Sequence, residues 1–239
     1  MCAGVVMLVG CVSPASAQAP GVRLELGGGG SEAAYVKLLL LFASISLAPA
    51  LLAVVTSFAR IAVVLFFLRA GLGAQEIPPN MVIIGLAILL TIFTMAPTLE
   101  PIYQEAVLPL LEEESEIGEA ARAAEGPLRV FMLRQVRPTD LALMAGLAAQ
   151  PPAAPEETAL SVLSAAFVIS ELRAAFIIGF IIYLPFVIID LVVASTLASV
   201  GVLSLPAPLL ALPFKVLLFV MVDGWQLLTQ ALVMSIGGQ

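Results

Sequence analysis

The 239-residue chain contains no histidine. That absence removes histidine-ligated zinc sites, histidine-ligated haem, Ser-His-Asp triads and His-based proton relays. Charge is scarce as well. Only 11% of residues are Asp, Glu, Lys or Arg, against about 25% in an ordinary soluble domain. Cysteine is confined to Cys2 and Cys11, so no disulfide or redox role is open to the body of the chain. Basic residues are outnumbered and the formal net charge is −7, which makes nucleic acid a poor partner. What is there is apolar: 61% of residues are hydrophobic and the mean hydropathy is +1.12. The composition is that of an all-α polytopic membrane protein.

The N-terminus reads as a secretory signal over residues 1–17. Ala3 to Val12 is an apolar stretch, and Ala15-Ser16-Ala17 is a small-x-small cleavage site before Gln18. No Lys or Arg precedes Arg23, so the basic n-region is missing. Acylation at Cys11, in "LVGC", and an uncleaved anchor are the alternatives. Residues 18–37, with "GGGG" at Gly27–Gly30, form a flexible segment.

Residues 38–99 read as a first hydrophobic helical hairpin. Leu38 to Ala59 is long enough to span a bilayer, kinked or broken at Pro49, and its apolar pattern continues past Arg60 to Leu68. "GLGAQEIPPN" turns, and a second span runs from Met81 to Leu99. Residues 100–160 break the pattern, with 11 acidic residues against four arginines. They form an extramembrane insert with short amphipathic helices divided at Pro138, and the "EEESE" run is a solvated face. Residues 161–239 read as a second hairpin. Its third apolar stretch, Ala174 to Ile189, continues with Asp190 embedded to Gly201. A turn at Ser204–Pro208 leads into a fourth helix. The fold class is two hairpins, about four hydrophobic helices, some kinked or broken, around a helical insert. If Gln18 begins outside, Arg60 and Arg69 fall on the cytoplasmic side and the insert outside.

Five charges sit within the second hairpin: Glu171, Arg173, Asp190, Lys215 and Asp223. A charge at the bilayer centre costs at least ~2.5 kcal/mol. Asp190 and Lys215 stand at matching distances from a turn near Val202–Leu205, so the register predicts that they meet. Lys215 and Asp223 are eight residues apart, roughly 12 Å along one helix, and cannot pair with each other. Asp223 and Glu171 are left to find partners in other subunits, backbone or water. The charges clamp helices, form a proton or ion relay, or line a hydrated path.

"AAFVISELRAAFIIGF" (Ala165–Phe180), "IDLVVAS" (Ile189–Ser195) and "LPFKVLLFVMVDGWQLL" (Leu212–Leu228) resemble the FliP/type III secretion export-gate family. The long stretch Thr56–Ala106 and "FMLRQVRPTDLAL" (Phe131–Leu143) agree, so the resemblance covers about Leu38 to the C-terminus. It implies a core pore-forming subunit of a flagellar protein export gate in the bacterial inner membrane, within the basal body, with a periplasmic insert. Implied partners are FliQ-like and FliR-like subunits, further copies of the chain, other export-apparatus proteins, unfolded flagellar subunits and membrane lipid. No enzymatic activity and no cofactor or metal is implied. The resemblance also implies a tapered helical assembly rather than simple lipid-facing spans.

It further assigns an apolar pore constriction to Val202, Leu203, Ser204 and Leu205, where relatives carry methionines, and an assembly role to Phe131. Met144 stands where relatives often have a second aromatic, and Ile177 where they tend to have a polar residue. Two other readings of the intramembrane charges are an ion or solute transporter and an aspartyl protease using Asp190 and Asp223. The equivalent subunit of a virulence secretion system is a third alternative. The signal has a direct check: N-terminal sequencing of the membrane-extracted protein is expected to begin at Gln18, and an intact Met1 rejects cleavage.

Overall fold

The computed structural model describes residues 35, 38–39, 42–43, 46, 50, 52–73, 78–112, 115–148, 154–202 and 204–237. The expected signal and linker, Pro49, most of the Leu38–Leu51 stretch and Leu203 lie outside the described residues, apart from isolated positions. Among the described residues every regular element is helical, and the helical membrane fold is what the composition requires.

A helix through Val55 stops at Thr56–Ser57 and restarts as α1, Phe58–Leu72. The Thr56 hydroxyl accepts the Phe58 N–H at 3.2 Å and donates to the Leu52 carbonyl, local bonds that compete with the helical ladder. The apolar pattern that continues past Arg60 to Leu68 is therefore interrupted here, at Thr56–Ser57. Helix α2 is Asn80–Ile102 and runs on through a π-helical turn, Tyr103–Val107, into α3, Leu108–Leu111. The expected end at Leu99 is overrun. Pro97 and Pro101 stay inside the helix, and a π-helical turn follows directly after them.

The insert folds as α4, Ile117–Gln135, and α5, Pro138–Leu147. Glu116 and Glu119 form a reciprocal capping box at the start of α4, so part of the acidic run has a local structural task. Arg137, preceding Pro138, is extended (ψ 135), and Pro138 opens α5 at a first-turn position.

Helix α6, Leu160–Ser199, is 40 residues long and passes through Pro185 without stopping. At 1.5 Å per residue it extends about 60 Å, twice the ~30 Å hydrocarbon core. The fourth expected helix is two: α7, Ala207–Met221, and α8, Gly224–Gly237, bent by 63°. Among the described residues two helical runs, Asn80–Leu111 and Leu160–Ser199, are long and apolar enough to cross a membrane. The bent pair makes a third if it counts as one span.

The core forms around α1. Ile61, Val64, Leu65, Leu68 and Leu72 repeat at helical spacing on one buried face. Arg60, Phe67 and Gly71 meet Glu171, Gly179 and Phe186 in that order, so α1 and α6 run parallel, while α7 returns antiparallel to α6. The close α1–α6 approach depends on Gly179: a Cβ there lies 2.5 Å from the Phe67 ring. Gly179→Ala is expected to overpack this contact and cost about 1–3 kcal/mol, read as a lower unfolding midpoint of the detergent-extracted protein.

Candidate functional site: two buried charge clamps and an open hairpin

The first clamp is centred on Arg60, in the first turn of α1 and 4% exposed. Its Nε donates to Glu171 Oε2 at 2.8 Å, and Nη2 donates to Glu171 Oε1. Nη2 also donates to Gln135 Oε1 at 3.0 Å, and Nη1 to the Ser235 carbonyl at 2.6 Å. The Gln135 amide donates in turn to the Ile236 carbonyl at 2.7 Å. One guanidinium thus joins α1, α6, the last residue of α4 and the end of α8. The two carbonyls belong to the final turn of α8, where no intrahelical donor reaches them. The fork geometry of arginine fits carboxylate, amide and carbonyl together, which a lysine ammonium cannot reproduce.

This arrangement corrects two expectations. Glu171 finds its partner in a side chain of its own chain, Arg60, rather than in another subunit, backbone or water. Arg60 touches Gln135 of the insert, so it lies at the level of the insert and is no marker of the opposite, cytoplasmic side. The signal available in the sequence was the apolar pattern on both sides of Arg60, which buries position 60 on the α1 core face.

Beside the first clamp, Ser170 docks the insert. Its hydroxyl donates to Asp140 Oδ2 at 2.7 Å and accepts the Arg137 N–H at 3.1 Å. Phe131 is buried, packing edge-on to Phe167 at 5.7 Å, and Met144 packs half-buried against the same core. Phe131 thus ties the insert to α6 inside the chain. Ile177 is exposed.

The second clamp is at the other end of α1. Lys215 Nζ donates to Asp190 Oδ2 at 2.7 Å and to the Gly71 carbonyl at 3.0 Å. The structure thus brings Asp190 and Lys215 together across the α6–α7 hairpin. Lys215 is 1% exposed, and its charge also meets the C-terminal end of the α1 dipole. Gly73, with φ 69, closes α1 there by donating its N–H to the Arg69 carbonyl at 3.3 Å. The other Asp190 oxygen, Oδ1, is buried without a hydrogen-bond partner among the described residues. Asp190 faces a lysine, not a second carboxylate, and no cluster of Asp, Glu or Cys among the described residues is placed to hold a metal.

Arg173 and Asp223 join neither clamp. Both are exposed, and Asp223 sits in the bend between α7 and α8 rather than mid-helix. Beyond Asp190, α6 and α7 are open. A groove of about 590 Å³ lies between them, lined by Val192, Thr196, Leu210 and Phe214 among others. At the tip, Gly201 turns with φ 77, Val202 is half-buried, and Ser204 and Leu205 are exposed.

Comparison with known proteins agrees with the resemblance in the motifs. A profile of the FliP family matches residues 41–232. The flagellar biosynthetic protein FliP of Caulobacter vibrioides is 48% identical over 227 residues, covering 94% of this chain and 85% of that protein. Its namesake in Bacillus subtilis is 48% identical over 201 residues, 84% of this chain and 91% of that protein. The protein of that name in Pectobacterium carotovorum is 46% identical over 222 residues, 92% and 86% respectively. The chain belongs to the FliP family.

Breaking the second clamp leaves one charge without its partner. Asp190→Ala, which strands the buried Lys215, is expected to cost about 3–5 kcal/mol; Lys215→Ala, which strands the one-third-exposed Asp190, is expected to cost less. The swap Asp190→Lys with Lys215→Asp is expected to recover part of that loss but not all, because an aspartate at 215 cannot donate to the Gly71 carbonyl. Yield of the intact membrane-extracted protein for the singles and the swap decides it. A swap no better than either single rejects direct pairing.

Proposed function

We propose that this chain is a core, pore-forming subunit of the flagellar type III protein export gate of the bacterial inner membrane, passing unfolded flagellar subunits across it. The observation that carries this reading is the family match over residues 41–232, together with relatives named for flagellar biosynthesis. The apolar helices suit an inner-membrane location. The protein acts as a structural secretion component rather than through bond-making chemistry. An ion or solute transporter and an aspartyl protease are not favoured, since Asp190 is engaged by Lys215.

In this reading the exposed faces of α6 and α7 meet further copies of the chain and FliQ-like and FliR-like subunits. The insert, residues 100–160, lies in the periplasm, preceded by a cleaved signal (1–17), a flexible segment (18–37) and the first hairpin (38–99). Residues 161–239 supply the pore. Phe131 and Met144 support assembly by holding the insert in place. Val202, Leu203, Ser204 and Leu205 form an apolar ring when repeated around a pore, and such a ring stops ions by dewetting.

Deleting the gene is expected to abolish motility and flagellar export, and the wild-type chain to restore both. Leu203→Gly is expected to restore assembly yet raise passage of small solutes across resting cells. Leu203→Met is expected to behave as wild type, because methionine is apolar and deformable. Normal export without the gene overturns the function. A tight Leu203→Gly gate overturns only the constriction.

A further inference from the structure

Asp223 is the one non-glycine residue with positive φ (50) among the described residues. Its carbonyl starts α8 by accepting the N–H groups of Gln226 and Leu227 at 2.9 and 3.1 Å. Its carboxylate is exposed and makes no ion pair among the described residues. Only Gly, Asn and Asp enter the left-handed region with ease; β-branched residues are outliers there. The next residue is constrained too. Any side chain at Gly224 meets the Phe219 ring, which turns back edge-on to Trp225 at 5.4 Å. The backbone at 223–224 therefore fixes the 63° bend between α7 and α8.

The far end of α8 is held by different chemistry, the carbonyls of Ser235 and Ile236 on Arg60 and Gln135. The 14-residue α8 is an arm of about 21 Å, so straightening the bend carries its tip about 20 Å from those donors. Arg60 and Gln135 then keep unpaired donors in the interior, which is costly. An apolar cavity of about 370 Å³ at the elbow, bordered by Phe186, Phe219, Val222 and Leu228, leaves room for pivoting.

We propose that α8 is a strap, hinged at Asp223–Gly224 and latched by Arg60 and Gln135, and that Asp223 serves it through its left-handed backbone rather than its charge. The latched strap ties the insert to α7 and, through Lys215, to the second clamp. This conformational device stands apart from the export reading, because its test measures the strap itself.

The full chain is purified with Cys2 and Cys11 replaced by serine, and with Thr98→Cys and Gly237→Cys. Both positions line a cavity of about 420 Å³ between α2, α4 and the tip of α8. A short bifunctional thiol reagent reports latching. Asp223→Asn and Asp223→Gly are expected to cross-link within about twofold of wild type, and Asp223→Val at least about fivefold less, following the left-handed preferences of those residues. Gln135→Leu is expected to lower cross-linking with the hinge intact. An Asp223→Val protein that cannot be recovered, beside normal Asn and Gly variants, supports the hinge equally. Loss of cross-linking in the Asn or Gly variant overturns the backbone role. Wild-type cross-linking in Asp223→Val overturns the hinge, and in Gln135→Leu the latch.

Discussion

The guanidinium of Arg60 is the constraint on which the remaining structure depends. In lipid, apolar packing discriminates poorly between registers, because hydrocarbon tails are as apolar as leucine side chains. A buried cation discriminates sharply, since each of its donors must find an acceptor at one position. Arg60 accepts one solution, in which α1, α6, the end of α4 and the tip of α8 converge. Such a pair is weak evidence for net stability, because desolvation offsets much of its attraction. Its larger effect is on arrangement: a helix sliding by one residue leaves a charge unpaired.

Lys215 performs the corresponding task at the other end of α1. Gly71 lies eleven residues beyond Arg60, about 16 Å along the helix, so the two clamps fix α1 against α6 at separate levels. Between them the core is apolar. Beyond them α6 has little of its own chain to pack on: none of residues 191–199 is buried. The chain is thus a clamped frame bearing a long, open hairpin. That division suits a subunit whose exposed surface is completed by neighbours.

Much of this was legible in the sequence. Helical class, the division of the insert at Pro138 and the meeting of Asp190 with Lys215 follow from composition, proline position and hairpin register. The Arg60–Glu171 pair was not legible, because its members are 111 residues apart and no local periodicity relates them. Breaks were misplaced for a related reason. The second span was ended too early, at Leu99: α2 runs through Pro97 and Pro101 to Ile102, as α6 runs through Pro185, because prolines, for all their reputation as helix breakers, are tolerated inside helices packed on neighbours. Thr56 and Asp223, with no such reputation, end helices through a side-chain hydrogen bond and a left-handed backbone.

The parallel run of α1 and α6 separates two tasks in space. The insert docks near Ser170 and Glu171, while the hairpin tip begins at Gly201. Thirty residues of helix, about 45 Å, lie between them. Substitutions that far apart, sharing no partner, act independently to within a few tenths of a kcal/mol. Side chains at the tip can therefore change without disturbing the clamps that set the fold. The clamps carry no such freedom, because every acceptor engaged by Arg60 or Lys215 lies on a helix other than the donor's own. One geometry thus gives two ends: one held by buried charge at Arg60 and Glu171, and a distal one whose described residues are mostly exposed.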